Sequence, residues 1–157
     1  MNRIKVLGIG SPFGDDQAGW KVADALKQHL AMHPNITQWV SIESHDRPGA
    51  RLIELMSGAR TVFIIDAVKS GSEPGTVHRF KNDDIIKSEN RLSTHDMGIA
   101  QALQLGSALN DLPDNIILYG IEIDLIVFES TLSHPVEQAI EHVAIQLKDE
   151  IIRTYPC

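Results

Sequence analysis

Two adjacent carboxylates, Asp15 and Asp16, stand near the end of a glycine-rich turn, GIGSPFGDDQAG, running from Gly8 to Gly19. A glycine-rich turn between a strand and a helix ordinarily cradles phosphate with backbone N–H groups and the positive helix end. Two aspartates repel a phosphate and attract a metal cation. A third carboxylate, Asp66, ends the most strand-like run of the chain, TVFIID, at Thr61 to Asp66. An imidazole, His95, lies in Ser93-Thr94-His95-Asp96, a pattern that opens helices. A hard or borderline divalent metal needs two to four oxygen or nitrogen ligands that meet in space rather than in sequence. Each candidate alone has a plainer explanation: Asp15 as an N-cap with Asp16 in the first turn, Asp66 as a turn cap, His95 as a solvated first-turn residue. Their joint arrival at one edge of a sheet is what would make a site.

That arrival depends on the elements around them. Ile4 to Ile9 is near-continuously apolar, as a central parallel strand covered on both faces should be. Gln17 to Leu30 places Ala18, Val22, Ala25, Leu26 and Leu30 at helical spacing. His33-Pro34-Asn35 ends that helix. TQWVSIE, Thr37 to Glu43, alternates as a second strand, and SHDRPG, Ser44 to Gly49, is turn chemistry. A helix from about Ala50 to Ser57 stops at Gly58. After the Asp66 strand come a loop, KSGSEPGT, and a short edge strand, Thr76 to Phe80, expected to be antiparallel. Asp83 to Lys87 makes a helical turn. A helix from Ser93 carries Met97, Ala100, Leu103 and Leu109, and Ile116 to Ile123 is the last strand. Leu125 to Thr131 is an irregular apolar connection before a final helix at His134-Pro135. Strands alternating with helices imply a doubly wound α/β sandwich in a single domain, 1–157. Right-handed crossovers then bring the ends of the first and third strands together.

The 157 residues, 43% apolar and 22% charged, suit one soluble domain that buries roughly 70% of its unfolded surface. A net charge of −7 argues against a general nucleic-acid or anionic-membrane binder. No apolar run approaches a bilayer span, and the N-terminal apolar stretch is too short for a signal peptide. A single cysteine, Cys157, leaves no internal disulfide, zinc knuckle or CxxC pair, so the cytoplasm is the expected compartment. The remaining histidines are poorer candidates. His29 and His33 have HxxxH spacing without the glutamate of HExxH. His134 and His142 belong to a solvated helix face. His45 and His78 have no patterned partner. No GxSxG elbow or P-loop is present, and GxGxxxG at Gly8 to Gly14 lacks dinucleotide spacing.

Four segments, in order along the chain, carry a resemblance: VLGIGSPFGDDQAGWKV, FIIDAVKSGSEPGTV, STHDMGIAQAL and LYGIEID. Together they resemble the endopeptidases that mature [NiFe] hydrogenases, over nearly the whole chain. The resemblance implies a three-layer α/β/α sandwich, here with a mostly parallel twisted sheet of about five strands. It also implies removal of a C-terminal extension from the nickel-loaded precursor of the hydrogenase large subunit. Nickel is then supplied by the substrate, and the free enzyme holds little or none. By position the nickel contacts fall on Asp16, Asp66 and His95, with Asp15 a capping or supporting partner. This chain has Ser11 where the family often has Asn, Gln17 where it has Gly, and Ile123 where proline is common. SHDRPG replaces a glycine-rich segment, which makes Asp46 a second candidate, beside Asp15, for an assisting carboxylate. Neither a membrane nor a nucleic acid is implied as partner, and the family members act as monomers. A different class fits part of the pattern: a phospho-acceptor receiver domain binding magnesium also pairs aspartates after its first strand with one ending its third. The long Ile9–Asp15 loop and the absence of a lysine closing the last strand count against it.

Overall fold

The computed structural model describes residues 4–87, 99–124 and 131–154. Five strands form one sheet: β1 (Ile4–Gly10), β2 (Val40–Asp46), β3 (Thr61–Val68), β4 (Val77–Lys81) and β5 (Asn115–Glu122). Their order is β2-β1-β3-β5-β4. All neighbours pair in parallel except β4, which runs antiparallel to β5 at the edge. The helices are α1 (Ala18–Leu30), α2 (Pro34–Thr37), α3 (Leu52–Met56), α4 (Asp83–Lys87), α5 (Ile99–Ala108) and α6 (His134–Thr154).

The sheet separates two apolar cores because successive side chains of a strand point to opposite faces. On one face Val6, Phe63, Ile65, Ala67, Tyr119 and Ile121 pack against α1 and α6. On the other, Leu7, Ile9, Val62, Ile64, Ile116 and Leu118 meet Leu52 and Met56 of α3 and Ala102 and Leu103 of α5. β3 is buried along its whole length, as a middle strand covered by two helical layers must be. The result is the three-layer α/β/α sandwich. Among the described residues no helix is long and apolar enough to cross a membrane.

Several boundaries differ from the sequence reading. The second strand begins at Val40 and reaches Asp46, rather than spanning Thr37 to Glu43. Pro34 opens a short helix that absorbs Thr37, whose hydroxyl donates to the Pro34 carbonyl at 3.0 Å. The turn-like residues Ser44 to Asp46 are drawn into the sheet because β1 offers them parallel partners, Gly8, Ile9 and Gly10. Between β1 and α1 the chain makes a 3-10 turn, Gly14–Gln17, so the helix starts one residue later than expected. β3 continues past Asp66 to Val68. α5 ends at Ala108 rather than carrying Leu109, which is exposed. The expected helix start at Ser93 to Asp96 and most of the connection at Leu125 to Thr131 lie outside the described residues, as does Cys157.

Candidate active site

In strand order, β1 is the switch point: its continuation runs to β2 on one side, while β3 lies on the other. Open α/β sheets hold their ligands in the crevice above such a point, beyond the carboxyl ends of the strands. The acidic turn sits there. Gly10, the last residue of β1, lies under it, and a Cβ on Gly10 would fall 2.4 Å from the Asp16 carbonyl. Ser11 clamps the turn shut: its amide donates to the Asp16 carbonyl at 3.2 Å and its hydroxyl to Asp16 Oδ2 at 3.3 Å. The Asp16 amide in turn donates to the Phe13 carbonyl at 3.0 Å. Gly14 takes a positive φ of 51°, a conformation that a residue with a Cβ adopts at a cost.

Asp66 comes to the same edge by register. Gly8 pairs with Ile65, so Asp66 follows on β3 where β1 is about to end. Gly19, in the first turn of α1, locks the two strands to the turn: a Cβ there would lie 2.2 Å from the Ile9 carbonyl oxygen and 2.6 Å from that of Ile65. Asp66 is buried at 8% exposure, and its Oδ1 accepts the Ala67 amide at 2.8 Å. By alternation its side chain shares the face of Val62 and Ile64, the face covered by α5. β5 starts beside Thr61, the first residue of β3, so α5, which precedes it, begins toward the opposite edge, where Asp66 lies. His95, four residues before Ile99, lies outside the described residues. Among the described residues no three His, Cys, Asp or Glu side chains stand together as a metal set. Two carboxylates and one imidazole are a donor set that suits a borderline divalent ion such as nickel.

The two aspartates of the turn have different surroundings. Asp15 is 2% exposed and accepts both the Ser133 amide, at 2.8 Å, and the Ser133 hydroxyl, at 2.9 Å. It therefore holds the head of α6 rather than capping its own helix, which has no side-chain cap. Asp46 ends β2 opposite Gly10 and keeps an exposed carboxylate beside Arg47, at 3.4 Å. Trp20 ties α1 to that strand end, its indole N–H donating to the His45 carbonyl at 2.9 Å. His45 Nε2 and Glu43 Oε1 are 2.8 Å apart. Burial pushes the Glu43 carboxyl up, but the His45 and Ser41 hydrogen bonds outweigh it and hold the group below its ordinary value.

Sequence reasoning overlooked Glu122, the last residue of β5, which is 1% exposed. Its carboxylate accepts the Ser70 amide at 2.7 Å, the Ser70 hydroxyl at 2.6 Å and the Gly71 amide at 3.3 Å, and it pairs with His78 at 2.9 Å. Burial alone would raise its pKa; the hydrogen bonds from Ser70 and His78 turn the shift downward. The loop it holds must cross the end of β5, because β4 lies on the far side of β5 from β3. The signal was available: a lone glutamate inside the apolar run IILYGIEI has to find buried partners. His78, set aside for lack of a patterned partner, is one of them.

A family model described as "HycI: Hydrogenase maturation protease" matches residues 21–150. The matched span includes Asp66 and His95 and begins after the acidic turn. The "Hydrogenase expression/formation protein HupD" of Thiocapsa roseopersicina is 28% identical over 141 residues, 87% of this chain and 62% of that protein. The chain thus spans somewhat less than two thirds of that relative's length. The "Hydrogenase 2 maturation protease" of Escherichia coli is 26% identical over 161 residues, covering 98% of this chain and 96% of that one. The fold is that of the hydrogenase maturating endopeptidase HybD from E. coli, with a TM-score of 0.80 and 24% identity over 98% of this chain and 94% of the other. None of these matches is to a receiver domain, the rival class that the acidic turn and the third-strand aspartate had left open. The matched span covers most of the chain, and the chain belongs to the hydrogenase maturation protease family.

Proposed function

We propose that this protein is an endopeptidase that removes the C-terminal extension of a [NiFe] hydrogenase large-subunit precursor once nickel has been inserted. The observation that carries the reading is the meeting of the Asp16 turn and Asp66 on neighbouring parallel strands at the switch point, in a chain of this family. In this reading Asp16, Asp66 and His95 contact the nickel that the substrate brings. Three protein contacts leave coordination positions for the substrate's own ligands and for a water or the scissile carbonyl. The ion supplies Lewis acidity, lowering the pKa of the water or polarising the carbonyl.

Asp46 is the assisting carboxylate in this scheme, because its oxygens face solvent at the end of β2 whereas both oxygens of Asp15 are held by Ser133. Proton removal by a carboxylate at the rim is ordinary general-base work. Recognition follows from the same contacts. A precursor without nickel lacks the group that docks it, so binding energy is tied to the finished metal centre. The protein acts in the cytoplasm as a monomer, on a protein substrate, and carries no resident metal.

The test is processing by three single variants, Asp16→Ala, Asp66→Ala and His95→Ala. Each should remain folded and lose at least about a hundredfold in cleavage of nickel-loaded precursor, more than a supporting residue costs. Wild-type rates in all three would remove the reading.

A further inference from the structure

The residue that leads into the 3-10 turn of the two aspartates, Phe13, has an aromatic ring in water. Phe13 is 65% exposed although a phenylalanine gains roughly 1.5–3 kcal/mol when buried. The other exposed large apolar residues among those described are Met32, Leu105, Leu109 and Ile145. Met32 follows the end of α1, Leu105 and Leu109 lie in and beyond the last turns of α5, and Ile145 is midway along α6. Only Phe13 belongs to the rim that carries the aspartates, and Pro12 beside it is exposed too.

The backbone beneath the ring is fixed. The Phe13 carbonyl accepts the Asp16 amide at 3.0 Å, closing a turn in which the Cα atoms of Phe13 and Asp16 lie within about 7 Å. Ser11 holds Asp16 from one side and Gln17 holds the Gly14 carbonyl, at 3.0 Å, from the other. The conformation is thus set before any partner arrives, and a contact made by a preorganised aromatic loses little entropy. Aromatic residues of this kind carry a large share of binding energy at protein interfaces.

We infer that Phe13 is a substrate anchor: its ring packs on an apolar side chain of the precursor close to the bond that is cut. This rests on the peptidase reading and adds a contact that does not involve the metal. It makes recognition twofold, with nickel reporting that the metal centre is finished and Phe13 gripping the polypeptide. The contact is made equally in the ground state and the transition state, so its loss should raise KM and leave kcat alone.

The experiment measures steady-state cleavage of nickel-loaded precursor by wild type, Phe13→Ala and Phe13→Leu, with melting temperatures as a folding control. Phe13→Ala should raise KM roughly ten- to thirtyfold with kcat within about twofold, as expected for an interface anchor. Phe13→Leu should recover most of the loss, and the melting temperatures should agree. An unchanged KM in Phe13→Ala, or a fall in kcat at constant KM, overturns the anchor while leaving the peptidase in place. Wild-type protein that cleaves no nickel-loaded precursor overturns the peptidase reading, and the anchor falls with it.

Discussion

Asp15 and Asp16 are chemically identical neighbours that their surroundings send to different work. The carboxylate of Asp15 is consumed by Ser133, 118 residues away in sequence, and so joins the acidic turn to the head of α6. Replacing Asp15 with Ala leaves the Ser133 amide without its acceptor, a loss of about 1–3 kcal/mol. In a chain of this length that should lower the melting temperature by about 2–4 °C for each kcal/mol, which calorimetry of the variant would read. Glu122 is the second residue whose role is set by neighbours. Its folded pKa is depressed, so the stability it adds is fully present above its ordinary value of 4.5 and is lost as pH falls through the lower folded value. Protection of the Ser70 and Gly71 amides, measured against their intrinsic exchange rates, should therefore fall on acidification below about pH 4.5. In Glu122→Gln that pH dependence of protection should be absent, and protection should be low throughout.

At the scale of elements, the junction of β1, β3 and α1 is the part most sensitive to change. Gly19→Ala sets a methyl against two backbone carbonyl oxygens, and neither can step aside without moving a central strand. The helix must shift instead, at a cost of about 1–3 kcal/mol, and the turn carrying Asp16 shifts with it. Loss of precursor cleavage in a variant that still folds would show this coupling. Toward the β4 edge of the sheet, on the face that α1 and α6 share, Tyr119 links three elements: its hydroxyl donates to Glu150 of α6, and Arg79 of β4 pairs with the same carboxylate. Burial, then the Glu150 hydrogen bond, pushes the Tyr119 hydroxyl up from 10.0 to about 12. A raised folded value means that the stabilisation holds below pH 10 and disappears as pH rises through 12. Alkaline denaturation of Tyr119→Phe should lack that component, whereas wild type loses stability over the interval.

Much of the whole molecule was legible in its sequence, and the reasons are local. β1, β3 and β5 are apolar on both faces because helices cover both, and such runs announce themselves. The stripes of α1 and α6 face one core and read at helical spacing. β2 was misjudged because it is an edge strand without a fully buried residue, so its limits follow from the register offered by β1 rather than from its own composition. The acidic turn and Asp66 were singled out because carboxylates that follow apolar, strand-like runs are conspicuous. Ser133 and the grip of Glu122 on Ser70 were missed because a partner 118 or 52 residues away leaves no periodic trace. Periodicity reveals which face of an element is covered; it does not reveal which distant loop a buried carboxylate will hold.

The assembled molecule therefore offers two carboxylates at the switch point of its sheet, a rigid turn with an aromatic ring beside them, and a loop clamped at the end of β5. The most direct test is to incubate the purified protein with nickel-loaded and nickel-free hydrogenase large-subunit precursor and weigh the products by mass spectrometry. A C-terminal fragment should be lost from the nickel-loaded precursor alone. Equal cleavage of both forms, or cleavage of neither, would contradict that expectation.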